Sequence, residues 1–437
     1  MSEVVDVLVY VLAAVAFFAL IMVSIGLHEV GHLVPAKLFG VKVTQFFTGF
    51  GRTLWSTRRG ETEYGVKAIP LGGFVRMVGM FPPARDGSVR SSSSGIVQSL
   101  ADSAREAEHE DITPADDGRL FYQKPVWQKV VVMAAGPVMN LLLAFLILLA
   151  VTGLHGVLRP QLVVSAVSEC VLTAQEAQQR ACTAADPPTP AAAMGLREGD
   201  RLVSFNGVPL RDWDQMSGLI RANRDRSAIV VVERDGVEQT LPSTSTVVNG
   251  VADQWNPSRT VEAGFLGVSP TYEQVRGGPV TVLADMGDMT VRSLHALARF
   301  PVNVWYTAVN LVTGVDRDRN GPISIVGASR VAGEIATTPV LTPGEKVATW
   351  FTLLGSVNLF VAIFNFVPLL PLDGGHIAGA LWEGLRRGLA RLLGRRDPGH
   401  VDTARLLPVA YVVGGFIAVS GVVLILADLI DPIRLLG

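Results

Sequence analysis

Four long runs without a charged residue constrain this chain more than any other feature of its sequence. Each reaches the length of about 20 residues that an α-helix needs to cross a bilayer. The runs are Val7–Leu27, Val130–Leu154, Ala348–Leu372 and Leu406–Ala427. Only 17% of the residues are charged, whereas soluble domains carry about a quarter. The sequence therefore predicts a polytopic α-helical membrane protein with four transmembrane helices.

The rest of the composition excludes several other classes of protein. A formal net charge of −2 gives no reason to expect a nucleic-acid partner. Two cysteines are too few for a disulfide scaffold or for a four-cysteine zinc site. A fifth apolar stretch, Phe300–Gly314, is shorter than the four runs and is flanked by Arg299 and Asp316. These features favour an interfacial or packed helix over a fifth span.

The placement of lysine and arginine predicts the orientation of the spans. Thirteen basic residues lie between the first and second runs, six arginines lie between the third and fourth, and none precedes the first. Because cytoplasmic connections carry the excess of basic residues, both of these connections are expected in the cytosol. Both termini and the long connection 155–347 then lie on the extracytoplasmic side of the membrane.

The segment His28-Glu29-Val30-Gly31-His32 at the end of the first run carries the strongest chemical signal. Residues four apart lie on one helix face, so His28 and His32 can bind one metal ion through their imidazole nitrogens. Glu29 projects beside them as a general base, the arrangement that zinc hydrolases use. The alternative is a pair of capping or packed histidines at a helix end.

A catalytic zinc needs a third protein ligand, and Asp373 is the best candidate. It directly follows the uncharged third run, where a carboxylate is costly unless it meets a cation or a metal. The first and third runs both cross from outside to inside, so Asp373 is expected at the cytosolic depth of the histidines. A helix-terminal turn is the alternative for Asp373. His376 is a competing ligand, although loop packing or support of a ligand fits it better.

Two asparagines lie within apolar runs. Asn140 belongs to the second run and Asn365 to the third. Each can form an interhelical hydrogen bond, or can hold the substrate backbone or the oxyanion in a catalytic site. The sequence leaves both readings open.

With these residues in place, the chain resembles the site-2 protease family of intramembrane zinc metalloproteases. It is most similar to the bacterial members with a PDZ domain, of the actinobacterial (mycobacterial-like) type. The resemblance rests on His28 through His32, Tyr64 through Met77, Ala135 through Asn140, Gly321 through Ile325, and Asn365 through Gly374. One departure is that Leu370 stands where the family has its second proline, and Pro371 follows it. The spacing from Asn365 to Asp373 is kept.

The resemblance implies one zinc ion held by His28, His32 and Asp373, with Glu29 activating water to cut a substrate's transmembrane segment. It implies single-pass membrane substrates such as anti-sigma factors, first trimmed on the outer side by a site-1-type protease. It also implies that 41–80, which alternates like strands, is a membrane-associated β element whose edge can pair with unwound substrate. An ordinary cytosolic hairpin is the alternative for that segment.

The region Gln161–Thr246 reads as a small β-rich domain. Asn206-Gly207 and Asp235-Gly236 are hairpin signals between short apolar strands. Together with Gly195 through Leu202, this order resembles a bacterial PDZ domain, which implies either capture of chain ends or a steric filter for substrates. We favour the filter. Cys170 and Cys182 flank an insertion in this domain, and on the oxidising side they favour a disulfide over two buried thiols.

The predicted organisation has six segments. They are 1–82 with the first span and the β element, 83–118 as a flexible cytosolic insertion, 119–157 with the second span, 158–250 as the PDZ-like domain, 251–345 as extracytoplasmic or interfacial helices, and 346–437 with the third and fourth spans. The favoured function is an intramembrane endopeptidase. The alternative is a non-catalytic PDZ-bearing scaffold with a structural metal, which would not need Glu29 beside the metal.

Overall fold

The computed structural model describes residues 2–82, 112–173, 176–253, 260–318 and 320–433. Most of the predicted insertion at 83–118, residues 83–111, lies outside the described residues. The chain forms two compact units. They are the membrane unit, residues 1–150, 279–317 and 321–437, and the β-rich unit, residues 151–278 and 318–320.

The described residues contain ten α-helices and twelve strands. The helices are α1 Ser2–Leu38, α2 Val126–Leu154, α3 Glu176–Gln179, α4 Pro190–Ala193, α5 Trp213–Ala222, α6 Pro279–Thr313, α7 Ile325–Thr337, α8 Pro343–Asn365, α9 Asp373–Leu392 and α10 Leu407–Ile430. The strands are β1 Val43–Arg59, β2 Thr62–Met77, β3 Val157–Val167, β4 Arg201–Phe205, β5 Val208–Pro209, β6 Ser227–Ala228, β7 Val230–Arg234, β8 Val237–Thr240, β9 Thr244–Ser245, β10 Val247–Ala252, β11 Thr260–Phe265 and β12 Val268–Val275.

Four of the described helices, α1, α2, α8 and α10, are long and apolar enough to cross a membrane. They coincide with the four predicted spans, with one difference at the end of the third. Helix α8 ends at Asn365 instead of continuing to Leu372. Pro368 and Pro371 lie in the remaining segment, and a proline removes a backbone donor and disfavours helical geometry in the residue before it. Helix α9, which the sequence analysis did not predict, then begins at Asp373.

Small residues bring α1 and α2 into close contact. A Cβ atom added to Gly31 of α1 would lie 2.5 Å from the backbone oxygen of Ala135 in α2. Towards its N-terminal end, α1 buries Phe17 and Ile21 against Ala328 of α7. Apolar contacts on two sides therefore fix the helix that carries the two histidines.

Strands β1 and β2 form a strongly bent hairpin. Phe46 of β1 pairs with both Tyr64 and Val75 of β2, so the start of β1 lies between the two halves of β2. Residues 73–77, here called the outer strand, pair with β1 along one edge, and no other described strand pairs with them. The far part of the hairpin exposes large apolar side chains, namely Phe50, Leu54, Trp55, Val66 and Ile69. Such a patch is typical of a surface that contacts lipid or a partner.

The β-rich unit is built on one sheet of order β12-β3-β4-β7-β8. Asn206 and Asp235 have positive φ angles of 49° and 54°, as the predicted Asn-Gly and Asp-Gly hairpin turns require. The unit extends to Gly278, beyond the predicted boundary at residue 250. The reason is that β12 pairs with β3, which returns the chain to the first strand of the unit.

Candidate active site

The two histidines of α1 lie one turn apart and are almost completely buried. His28 is 8% exposed and His32 is 4% exposed. Their Nε2 atoms are 3.2 Å apart, although the histidines lie on successive turns of the helix. Both imidazoles therefore aim the same ring nitrogen at one point.

The backbone of α2 fixes the orientation of His32. Nδ1 of His32 lies 2.8 Å from the carbonyl oxygen of Val132. A carbonyl oxygen can only accept a hydrogen bond, so Nδ1 carries the proton and Nε2 presents a lone pair. A metal-binding histidine is typically held in this way by its second nitrogen.

Asp373 completes a triangle of ligand atoms. Its Oδ2 atom lies 3.3 Å from Nε2 of His28 and 3.3 Å from Nε2 of His32. Zinc bonds of about 2.0–2.1 Å at tetrahedral angles place neighbouring ligand atoms about 3.3 Å apart. The three side chains form a candidate metal site by ligand type and spacing, and their geometry fits zinc.

Gly136 of α2 lies directly against the His32 ring. A Cβ atom added there would be 2.2 Å from Nε2 of His32 and 2.6 Å from Cε1. No side chain larger than hydrogen therefore fits at this position without displacing the imidazole.

A cavity of about 410 Å³ adjoins the three ligand atoms. Glu29, Asn365 and His376 line it together with the outer strand. A Cβ atom added to Gly73 would lie 2.9 Å from Cγ of Glu29, so the backbone of the outer strand passes directly over this carboxylate. Burial lowers the pKa of His376 to about 4, so its imidazole is neutral at physiological pH.

The remaining predicted site residues lie elsewhere. Asn140 is 1% exposed within α2, does not line the cavity, and its Oδ1 atom has no hydrogen-bond partner among the described residues. Cys170 and Cys182 form a disulfide in the β-rich unit. The structure therefore brings Asn365 to the cavity but not Asn140.

Comparison with known proteins identifies the family of this chain. The model of peptidase family M50 matches residues 16–392. The chain belongs to peptidase family M50. It is also 35% identical over 438 residues to the zinc metalloprotease Rip1 of Mycobacterium tuberculosis, covering 98% of this chain and all of that protein. This M50 peptidase is therefore a zinc metalloprotease of the site-2 protease type, as the resemblance implied.

More distant M50 relatives cover most of the chain as well. The metalloprotease MmpA of Caulobacter vibrioides is 26% identical over 416 residues, which cover 88% of this chain and 93% of the relative. The zinc metalloprotease RasP of Bacillus licheniformis is 24% identical over 428 residues, which cover 85% and 90%. The similarity therefore includes both the membrane unit and the β-rich unit of this M50 peptidase.

Sequence reasoning missed three supports of the M50 site, namely the Val132 carbonyl, Gly136 and Gly73. The carbonyl of Val132 is a backbone group, so no residue type marks it. Gly136 and Gly73 entered the sequence analysis only as parts of the segments that carry the family resemblance, without a structural role. A glycine next to a proline within an apolar helix is the one signal that points to a close helix contact at Gly136.

Proposed function

We propose that this peptidase hydrolyses peptide bonds in transmembrane segments, with zinc held by His28, His32 and Asp373 and with Glu29 as the general base. The triangle of ligand atoms, 3.2–3.3 Å on each side, is the observation that carries the proposal. Glu29 lines the cavity beside this triangle. A purely structural metal would not need a free carboxylate there, which argues against the scaffold alternative.

The side chains of the site divide the chemistry between them. When bound, zinc polarises the scissile carbonyl and lowers the pKa of water. Glu29 takes the proton of the attacking water and delivers it to the leaving amine. Asn365 lies at the end of α8 and lines the same cavity, where its amide can hold the substrate backbone. The imidazole of His376 lines the same cavity.

The outer strand supplies a binding surface for unwound substrate. A substrate helix hides its peptide bonds, so it must become extended before attack. Residues 73–77 have one edge without a strand partner among the described residues, and Gly73 contacts Glu29. Strand addition at this edge brings an extended backbone to the general base. The exposed apolar part of the β1–β2 hairpin then contacts lipid, as expected for a membrane-associated β element.

We infer that the substrates are single-pass membrane proteins such as anti-sigma factors, shortened first by a site-1-type protease. His28 and His32 lie on α1, a helix of lipid-spanning length, so a substrate that meets them is proposed to enter the bilayer. The β-rich unit is proposed to be a PDZ-like domain that filters substrates by size. Its strand order and its two predicted hairpin turns support this assignment.

Zinc removal tests the proposed function directly. The purified protein is reconstituted in liposomes with a single-pass substrate, and the cleavage products are mapped by mass spectrometry. We expect a cut within the transmembrane segment, loss of cleavage after chelation, and recovery on addition of one equivalent of zinc. Cleavage that persists in zinc-free protein, or that is confined to soluble parts of the substrate, contradicts the proposal.

The proposed topology places both termini and the β-rich unit outside a bacterial cytoplasmic membrane, with the site near the cytosolic side. Single cysteines are introduced into the protein lacking Cys170 and Cys182 and are labelled with an impermeant maleimide on intact spheroplasts. We expect labelling at Asp235, on an exposed turn of the β-rich unit, and none at Arg395, which follows α9. The reverse pattern would show the opposite orientation.

A further inference from the structure

A buried ion pair joins α2 to α9 outside the proposed metal site. Nζ of Lys129 lies 3.0 Å from both carboxylate oxygens of Glu383. Lys129 is 4% exposed and Glu383 is 3% exposed. Removing two charges from water is unfavourable unless further hydrogen bonds satisfy them. A pair of this kind therefore needs additional partners, and Glu383 has them.

Glu383 accepts hydrogen bonds from four groups. Besides Lys129, they are Nδ1 of His400 at 3.1 Å, the backbone N–H of Val401 at 3.1 Å and the guanidinium of Arg387 at 3.3 Å. Burial raises the pKa of Glu383, but the hydrogen bonds from His400 and Lys129 outweigh it and lower the pKa to about 2. The carboxylate is thus ionised and fully satisfied at physiological pH.

Each residue of this ion pair lies on a helix that contacts or carries a proposed metal ligand. Lys129 lies one helical turn before Val132, whose carbonyl orients His32. Glu383 lies on α9, the helix that begins with Asp373. The packing is tight between them, since a Cβ atom added to Gly384 would lie 3.2 Å from Val126 of α2. The first two turns of α2 therefore contact both elements that supply metal ligands.

We propose that Lys129 and Glu383 are positioning residues that hold α9 on α2, so that Asp373 stays in register with His28 and His32. This inference rests on the proposed zinc site. Neither residue lines the cavity, so neither touches substrate. Removing a direct hydrogen-bond partner of a metal ligand typically lowers metal affinity by about 10–100-fold, so a more distant positioning pair is expected to act at the lower end of that range.

Cobalt substitution tests the inference, because the visible spectrum of Co²⁺ reports on ligand geometry. The full-length protein is loaded with Co²⁺ in detergent and compared with Glu383→Gln. We expect the variant to shift or weaken the visible bands and to bind zinc at least tenfold more weakly. If wild-type protein gives no tetrahedral cobalt spectrum, the proposed metal site itself fails. If the wild-type spectrum forms and Glu383→Gln reproduces it at unchanged zinc affinity, only the positioning role fails.

A matched control separates positioning from general loosening. Arg317 and Asp428 form another buried ion pair in the membrane unit, 2.6 Å apart, at the end of α10. Asp428→Asn is expected to leave the cobalt spectrum unchanged, and an equal change in both variants overturns the proposal. Should Glu383→Gln not fold, Lys129→Met combined with Glu383→Met removes both charges without leaving one unpaired. A wild-type spectrum and wild-type zinc affinity in that double variant would also refute the proposal.

Discussion

Glu29→Gln is expected to reduce substrate cleavage at least a thousandfold while the protein keeps one zinc ion per chain. The amide has nearly the same shape as the carboxylate but cannot accept the proton of the attacking water. General acid–base groups contribute about 10²–10⁴-fold to enzymatic rates. Glu29 does not belong to the triangle of ligand atoms, so metal content should not change. Initial rates in liposomes and zinc content by mass spectrometry measure the two quantities.

Glu61→Gln is the control for this experiment. Glu61 is a half-exposed carboxylate that pairs with Arg119 at 2.6 Å and does not line the cavity. We expect its removal to leave cleavage and zinc content close to wild type, because exposed ion pairs contribute about 0–1 kcal/mol to stability. Turnover of Glu29→Gln within tenfold of wild type would rule out Glu29 as the base.

Gly136→Ala is expected to abolish cleavage through a different route, by loss of the metal. The added methyl group would overlap the His32 ring, and its neighbours on α1 and α2 are packed too closely to yield. We expect zinc affinity to fall more than a hundredfold and His32 to leave the ligand triangle. Isothermal titration of metal-free protein with zinc measures this change.

Gly26→Ala is the matched substitution on α1. A Cβ atom there would lie 3.8 Å from the Thr48 hydroxyl, an ordinary contact distance. This variant should bind zinc like wild type and should also show that a glycine-to-alanine change within the bundle is tolerated. Stoichiometric zinc binding by Gly136→Ala at wild-type affinity would mean that the close approach of α1 and α2 is not required.

The spans and the main elements of the site were predictable because each leaves a local signal. Apolar length marked the four spanning helices, and the His-Glu-x-x-His spacing marked one helix face. Positive φ at Asn206 and Asp235 follows from their Asn-Gly and Asp-Gly turns. The meeting of His28 with Asp373 followed from the shared direction of two spans, an argument that needs topology but no packing detail.

Features that depend on long-range contacts were not predictable. The end of α8 at Asn365, inside the predicted span Ala348–Leu372, is different, because Pro368 and Pro371 are local signals for it that the sequence analysis did not use. Strand β12 pairs with β3, which lies about a hundred residues earlier in the chain. This pairing extends the β-rich unit beyond residue 250. In the sequence analysis, Lys129 was one of the thirteen basic residues expected in the cytosol. No local pattern in the sequence indicates that Glu383 is its partner.

The glycine backbone of the outer strand over Glu29 has a consequence for how cleavage sites are selected. In the proposed strand addition, the outer strand binds the substrate through backbone hydrogen bonds. These bonds do not depend on the substrate side chain next to Glu29, so many amino acids are tolerated at that position. The choice of substrate then depends on how readily a segment of its transmembrane helix unwinds. If the proposed strand addition is correct, we expect proteins with helix-breaking residues at the appropriate bilayer depth to be cleaved and stable leucine-rich anchors to remain intact.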